Sequence, residues 1–271
     1  MKILYPLLVE EPITIDTAPE KSGKHFRGLD FANFLSQEPP AKGTLIAIEG
    51  IDGSGKTSLA YNLARALSGV FGESVVLTAE PAQYFREGLA FIDMENPVDV
   101  GDCDAYPCPV TDSYQRRMEA LRLSMDHAIH MGQVVIPALL KGMIVITDRW
   151  FWSSFCYQVE RLAEVGDPAP ELFISSSHQG WDLVPDVTLY LTLPVEEAMR
   201  RIQSRILKTG TPAHLYEQED FLRRVAARYA VLAAKEENGF ITLDGLQSQD
   251  VLMNQAMDAA MNRVLARRGR G

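Results

Sequence analysis

The chain has 271 residues, of which 46% are hydrophobic and 23% charged, a composition typical of a folded globular protein that buries a core. Its net charge of −10 excludes a general attraction to nucleic acid, so an anion has to be bound by a local cluster of donors. Three cysteines are too few and scattered for a disulfide scaffold or a zinc site, and no apolar run is long enough to span a membrane. We therefore expect a cytoplasmic protein with neither nucleic acid nor a membrane as partner.

The first elements in chain order are an extension, a strand and a helix. Residues 1–43 mix prolines, charges and scattered hydrophobics, which predicts an N-terminal extension with little regular structure. A single domain then follows at 44–271. Leu45–Ile48 is a short apolar run typical of a buried parallel strand, and Ser58–Leu67 predicts a helix with one apolar face.

The middle of the chain continues the alternation after an insertion. Ser74–Thr78 predicts a second strand, and the prolines and acids that follow indicate a loop or lid-like insertion at about 85–110. A long helix is predicted from Asp112 to Leu140, bent near Pro137. Ile144–Thr147 predicts a third strand, with a helix beginning near Phe151.

The last third of the chain completes the pattern. A strand at Val187–Leu191, helices at Val195–Lys208 and Glu219–Ala234, a strand at Phe240–Leu243 and a closing helix at 248–267 are predicted. The arginine-rich end after residue 266 is expected to fray. Alternating strands and helices indicate an α/β fold: a three-layer, doubly wound, mainly parallel five-stranded sheet with helices on both faces.

The strongest motif is a glycine-rich loop between the first predicted strand and helix. Gly50–Thr57 matches G-x-x-x-x-G-K-[ST], the phosphate-binding loop of P-loop NTPases. Glycines let backbone N–H groups surround phosphate oxygens, Lys56 would reach the β- and γ-phosphates, and the Thr57 hydroxyl would bind Mg²⁺. The alternative is a glycine-rich turn that contains Gly-Lys-Thr by chance, which the strand before it and the helix after it disfavour. The predicted ATP-binding residues are Gly50, Asp52, Gly53, Ser54, Gly55, Lys56, Thr57, Ser58 and Arg201.

Asp148 and Arg149 directly follow the third predicted strand. The carboxyl ends of parallel strands are where α/β proteins bind ligands, so this pair is expected beside the loop. Asp148 could bind the metal with Thr57 or accept a proton, and Arg149 could hold phosphates with its planar fork. A surface ion pair at a strand end is the alternative.

Three arginines lie on the predicted helix after the fourth strand. Arg201 and Arg205 are four residues apart and share a face, with Arg200 beside them. They form either a solvated basic face or part of a short helical lid, at about 200–217, that brings an arginine to the transferring phosphoryl group.

Together these motifs resemble the thymidylate kinases, P-loop nucleoside monophosphate kinases, from about Gly43 to the C-terminus. The segments that carry the resemblance are IAIEGIDGSGKTS, TAEP at 78–81, ITDRWFWSSFCYQ, PDVTLYL at 185–191, FLRRVAARYAVLA and ITLDG at 241–245. The resemblance implies ATP as donor, Mg²⁺ as cofactor, dTMP or a related deoxynucleoside monophosphate as acceptor, and a homodimer. Some members carry a catalytic arginine in the loop, where this chain has Gly53, so the resemblance assigns that role to Arg205. The implied catalytic residues are Lys56, Asp148, Arg149 and Arg205.

The acceptor site combines matches and departures. The resemblance implies acceptor contacts from Asp52, Glu80, Leu123, His127, Arg149, Ser154, Tyr157 and Gln158. Leu123 and His127 stand where the family has a stacking aromatic and a base-reading arginine, and Ala79 replaces another arginine, for which Arg86 could substitute. The aromatic residues 150–152 either rebuild a stacking wall or pack in the core.

Two alternatives therefore stay open. One is a P-loop kinase with a different acceptor, such as a modified nucleotide, a nucleoside or another small molecule. The other is a nucleotide-binding regulatory ATPase.

Overall fold

A parallel β-sheet lies at the centre of the molecule. The computed structural model describes residues 2–3, 43–72, 74–82, 112–178, 183–210, 212, 216–235 and 239–269. The strands are β1 Lys2–Ile3, β2 Thr44–Glu49, β3 Val75–Ala79, β4 Ile144–Asp148, β5 Val187–Thr192 and β6 Phe240–Asp244. They pair in parallel in the order β1-β3-β4-β2-β5-β6. The five predicted strands are confirmed as β2–β6, and β1 extends the sheet at the edge next to β3.

Helices cover both faces of this sheet, as predicted. They are α1 Lys56–Phe71, α2 Asp112–His130, α3 Ile136–Leu140, α4 Phe151–Glu164, α5 Pro170–His178, α6 Val195–Thr209, α7 Glu219–Ala233 and α8 Gln249–Arg268. Helix α5 was not predicted. It is short, with nine residues and a weak apolar face. The turn that leads into this helix is held by Asp167, whose Oδ1 accepts a hydrogen bond from the backbone N–H of Ala169 at 3.0 Å.

The long helix predicted from Asp112 to Leu140 is interrupted. Between α2 and α3 the segment Met131–Val135 is π-helical, and the N–H of Ile136 donates to the carbonyl of Met131. Pro137 has no N–H to donate and disfavours a regular helix in the turn before it. The interruption lies directly before Pro137, near where a bend is predicted, and it takes the form of a π-helical segment.

Alternating residues of β2 supply the core on the two faces of the sheet. Ile46 and Ile48 pack with Leu63 of α1 and Ala256 of α8. Leu45 and Ala47 point to the other face, where they pack with buried residues that include Met131, Val135 and Trp150. A third buried cluster joins α4, α6 and α7. This burial holds the carboxyl ends of β2, β3 and β4 side by side, with Ile48 and Ala79 both in register with Asp148.

The C-terminal end is more ordered than predicted. Helix α8 continues to Arg268, and Nε of Arg267 donates to Oδ1 of Asp186 at 2.7 Å. The guanidinium of Arg268 lies 4.3 Å from the ring centroid of Phe71. The expected fraying is therefore wrong for these two arginines, while residues 270–271 lie outside the described part of the chain.

Two predicted regions lie largely outside the described residues. Of the N-terminal extension at 1–43, Lys2–Ile3 and residue 43 are described; of the insertion at 85–110, nothing is, which leaves Arg86 without a position. Within the described ranges, no helix is both long enough and apolar enough to cross a membrane.

Candidate active site

The glycine-rich loop connects β2 to α1 in a conformation that requires glycine. Gly50 and Gly53 have positive φ angles of 144° and 81°. A Cβ atom on Gly50 would lie 2.6 Å from the carbonyl oxygen of Leu191, and one on Gly53 would lie 2.7 Å from that of Ala198. The loop is therefore packed against β5 and α6. A side chain at Gly53 would collide with the α6 backbone, which explains physically why this loop carries no arginine.

Lys56 is enclosed by this loop. Its side chain is almost fully buried, and Nζ donates a 2.7 Å hydrogen bond to the carbonyl of Ile51. Burial, together with the nearby Arg149, lowers the pKa of Lys56 to about 8. The Oγ of Ser54, also buried, has no hydrogen-bond partner among the described residues. A phosphate in the loop would accept hydrogen bonds from both groups and favour the charged lysine.

Thr57 and Asp148 form a pair of oxygen ligands at the start of α1. The Thr57 hydroxyl donates to Oδ2 of Asp148 at 2.5 Å, while Oδ1 of Asp148 is buried without a hydrogen-bond partner among the described residues. Hard cations such as Mg²⁺ prefer oxygen ligands and take few from the protein when phosphates supply the rest. The described residues contain no larger cluster of acidic, His or Cys ligands. This pair therefore fits Mg²⁺ bound together with a nucleotide.

Arg149 links the loop to the rest of the site. Its backbone adopts φ 77°, a conformation rare for a residue with a side chain, and its N–H donates to the carbonyl of Ile48 at 2.9 Å. The guanidinium Nη2 donates to Oδ1 of Asp52, Nη1 donates to Oγ of Ser153, and the group lies 5.1 Å from the ring centroid of Tyr157. Burial alone would lower the pKa of Arg149, but Asp52 raises it well above the ordinary value. The side chain is thus a permanent cation with a fixed direction.

Beneath Arg149 lies a buried carboxylate that sequence analysis missed. Oε1 of Glu49 accepts hydrogen bonds from the backbone N–H groups of Trp150 and Ser153, and Oε2 accepts from the hydroxyls of Ser153 and Tyr229. Burial raises the pKa of Glu49 to about 7, against the opposing effect of these hydrogen bonds. The carboxylate fixes the start of α4 next to Arg149. An acidic residue that ends a fully buried strand was the signal available in the sequence.

A cavity of about 480 Å³ opens beside Arg149. The residues that line it are Asp52, Glu80, Pro81, Leu123, Asp126, Arg149, Trp150, Ser153, Ser154, Tyr157, Gln158, Arg205, Tyr216 and Glu217. Seven of the eight predicted acceptor contacts are in this set, and so is Arg205. The phenolic oxygen of Tyr157 accepts a 2.9 Å hydrogen bond from the backbone N–H of Asp52. The cavity therefore adjoins the glycine-rich loop through Asp52.

His127, the eighth predicted contact, does not line the cavity. Its Nδ1 lies 2.7 Å from Oε1 of Glu80, and Nδ1 of His130 lies 2.8 Å from the same oxygen. The His127 ring is buried edge-on against Trp150, with the centroids 4.4 Å apart. Burial would raise the pKa of Glu80, but the two histidines lower it to about 2, so this carboxylate is ionised. His127 thus holds the Glu80 carboxylate in place, and Glu80 is the residue of this pair that lines the cavity.

The aromatic residues at 150–152 divide between two roles. Trp150 is buried, donates from Nε1 to the carbonyl of Leu183 at 2.8 Å, and also lines the cavity. Phe151 packs against the His178 ring at 5.0 Å, and Trp152 against Phe240 at 5.5 Å, so both contribute to packing away from the cavity.

The three arginines of α6 have different surroundings. Arg200 is exposed and pairs with Glu197. Arg201 also pairs with Glu197, and its guanidinium donates to the backbone carbonyls of Ser54 and Gly245 at 3.4 and 3.0 Å. Arg205 reaches the cavity, where Nη2 donates to Oε2 of Glu217 at 2.6 Å.

Several cavity residues carried no recognised sequence signal. Asp126 follows Leu123 by almost one helical turn, a spacing that could have identified it. Tyr216 and Glu217 lie in an irregular segment before α7, where periodicity gives no information.

Comparison with known proteins agrees with this geometry. The family model described as thymidylate kinase matches residues 110–256. A probable thymidylate kinase of Methanospirillum hungatei is 33% identical over 79% of this chain and 92% of its own, and one of Methanoculleus marisnigri is 34% identical over 74% and 86%. The solved thymidylate kinase of Ehrlichia chaffeensis has the same fold, with a TM-score of 0.54 and 22% identity over 80% of this chain and 98% of that one. The chain belongs to the thymidylate kinase family.

Proposed function

We propose that this chain transfers the γ-phosphoryl group of Mg-ATP to dTMP or a closely related deoxynucleoside monophosphate, which gives the diphosphate. One observation carries the proposal: Asp52 of the glycine-rich loop and Arg149 bind each other and together line the cavity. A donor held by the loop and an acceptor held in the cavity would therefore meet at this pair. The names of the relatives, thymidylate kinases, support dTMP as acceptor.

The residues around this junction suit phosphoryl transfer, which needs positioning and positive charge more than covalent help. The loop N–H groups and Lys56 would hold the phosphates of the donor. Arg149 would hold the acceptor phosphate, and Arg205 would donate to the transferring group. Thr57 and Asp148 would hold Mg²⁺, which would supply further positive charge against the phosphate oxygens.

The nucleoside of the acceptor would occupy the remainder of the cavity. Asp52 and Tyr157 would contact the sugar, while Leu123, Ser154 and Gln158, which also line the cavity, would offer one apolar and two polar contacts to the base. A different acceptor is the second candidate. The observation that favours it is the burial of His127 against Glu80, because the side chain at the position of the family's base-reading arginine then does not line the cavity.

An acceptor panel tests both candidates. Purified protein with Mg-ATP is given dTMP, other deoxynucleoside monophosphates, nucleosides or no acceptor, and the phosphorylated product and ADP are quantified separately. We expect dTDP to form at the rate at which ADP appears. Hydrolysis of ATP without any phosphorylated acceptor would reject the kinase proposal in favour of an ATPase.

A lysine variant ties the activity to the loop. Lys56→Ala is expected to abolish turnover, while Lys141→Ala, at an exposed position after α3, retains it. Equal circular dichroism spectra would show that both variants are folded. A fully active Lys56→Ala protein would remove the loop from the mechanism.

The predicted homodimer and cytoplasmic location stay predictions.

A further inference from the structure

Asp126, on α2, combines a buried hydrogen-bond acceptor with a position in the wall of the cavity. Its side chain is 1% exposed, and Oδ2 accepts a 2.5 Å hydrogen bond from the backbone N–H of Ala82. The other oxygen, Oδ1, is buried without a hydrogen-bond partner among the described residues. Asp126 also lines the cavity. Buried polar groups are nearly always paired, so an unpaired carboxylate oxygen at a ligand cavity indicates a donor on the ligand.

The neighbouring carboxylates of the cavity differ from Asp126 in this respect. Oε1 of Glu80 is within hydrogen-bond distance of both His127 and His130, and Oε2 of the same carboxylate is 2.8 Å from Nδ1 of His127. Oε2 of Glu217 accepts from Arg205. These acids already serve as partners of protein cations, whereas Oδ1 of Asp126 has no partner among the described residues.

The charges of the cavity indicate which part of the acceptor meets Asp126. Among the described residues that line it, Arg149 and Arg205 are the cations, and they will attract the phosphate. Leu123 lies three residues before Asp126 on the same helix, so the two side chains share one face of α2. Of the residues described on that face, Leu123 and Asp126 line the cavity, and they offer it an apolar side chain beside an acceptor. This pair suits the plane and the edge of a base and would repel a phosphate.

We propose that Oδ1 of Asp126 accepts a hydrogen bond from an N–H group on the base of the acceptor nucleotide, which makes Asp126 a specificity-determining residue. The inference rests on the proposed function. Thymine offers N3–H, and cytosine offers its exocyclic amino group, the usual partner of a carboxylate on a cytosine edge. Burial raises the pKa of Asp126 to about 6, with a further contribution from Glu80, so at pH 8 the carboxylate is ionised and acts as an acceptor.

The test combines an altered base with an isosteric variant. For the full-length chain, kcat/KM is measured at pH 8 with dTMP, dCMP and N3-methyl-dTMP, for the wild type and for Asp126→Asn. In the variant, the amide oxygen can still accept from Ala82, which turns the NH₂ group towards the cavity in place of Oδ1. We expect Asp126→Asn to lower kcat/KM for the preferred unmethylated nucleotide about 10- to 100-fold, because two donors then face each other. It should leave kcat/KM for N3-methyl-dTMP unchanged, since that ring has no N–H.

A loss of kcat/KM that depends on the N–H group of the base distinguishes base recognition by Asp126 from a purely structural role. An aspartate that only held the segment at Ala82 would give the same loss with every acceptor, and equal losses would overturn the inference. Preference of the wild type for dTMP identifies N3–H as the donor, and preference for dCMP identifies the amino group; either supports the inference when the loss depends on that N–H group. Asp258→Asn, an exposed position on α8, is the control for the loss of a charge.

Failure of the inference is distinguishable from failure of the proposed function. If Asp126→Asn uses all three nucleotides as the wild type does, the inference falls while the kinase activity stands. If the wild type phosphorylates no nucleotide, the proposed function falls, and the inference with it.

Discussion

Replacement of Glu49 by glutamine tests whether burial raises the pKa of the carboxylate beneath Arg149. Its Oε1 accepts from two backbone N–H groups, and its Oε2 accepts from two hydroxyls. Glutamine has the same shape. Its carbonyl oxygen can keep the two N–H groups, and its NH₂ can donate to Ser153 and Tyr229, since hydroxyls rotate to accept. Glu49→Gln should therefore preserve the packing and remove the charge.

The expected difference in the free energy of unfolding between the two proteins follows from the pKa of Glu49. Burial raises the pKa of Glu49 from an ordinary 4.5 to about 7, so the folded state holds this proton more tightly than the unfolded state does. The stabilisation from that proton is complete below pH 4.5 and is lost as the pH rises through 7. A difference of about 2.5 units corresponds to about 3 kcal/mol. Since glutamine does not ionise, Glu49→Gln should match the wild type near pH 4.5 and exceed it by about 3 kcal/mol at pH 8.5.

Urea unfolding followed by tryptophan fluorescence at pH 4.5, 6, 7 and 8.5 measures this difference. The pH dependence of groups that do not interact with Glu49 cancels between the two proteins, and Asp258→Asn serves as the surface control. A constant difference between wild type and Glu49→Gln across the series would refute the reasoning. So would a variant that is less stable than the wild type at pH 8.5.

Four further substitutions test the site. Gly53→Arg should lower the free energy of unfolding by about 2–3 kcal/mol in urea, through its positive φ and the clash with Ala198; equal stability would contradict the packing described. Leu123→Phe should raise kcat/KM for dTMP about 2- to 10-fold in a coupled ADP assay by stacking, and a decrease would argue against a base at this position. His127→Arg should destabilise the fold by about 1–3 kcal/mol in the same urea assay, because the longer side chain has no room against Trp150; a stable variant with better dTMP use would contradict the burial of this position. Arg205→Ala should lower kcat about 10²- to 10³-fold in steady-state kinetics while the KM for ATP changes little, with Arg200→Ala as the matched control and an unchanged kcat as the refuting result.

The sequence was most informative where a short segment determines its own geometry. The conformation of the loop at Gly50–Thr57 could be predicted from its glycines and from the strand and helix beside it. Asp148 and Arg149 could be placed because parallel strands end at the same edge of a sheet. An interruption near Pro137 was predictable, since the proline acts on the residues that precede it, but its π-helical form was not.

Contacts between distant segments could not be read from local patterns. The helical face of His127 was predictable, but not that Glu80, 47 residues away, would hold its ring. The pairing of Arg205 with Glu217 crosses an irregular segment of the chain for which no periodic pattern exists. The spacing of Asp126 from Leu123 puts both on one face of α2, but local spacing could not show that a cavity opens beside that face.

The contacts of Arg201 define which end of α6 is fixed. Its guanidinium joins the carbonyl of Ser54, in the glycine-rich loop, to that of Gly245, after β6. The first turns of the helix are thereby fastened to the two segments that flank the donor site. Any swing of α6 that keeps these bonds has its pivot near Arg201, so the lever arm that carries Arg205 is a single helical turn, about 6 Å of axial rise. Such a short arm confines the backbone of Arg205 to small displacements.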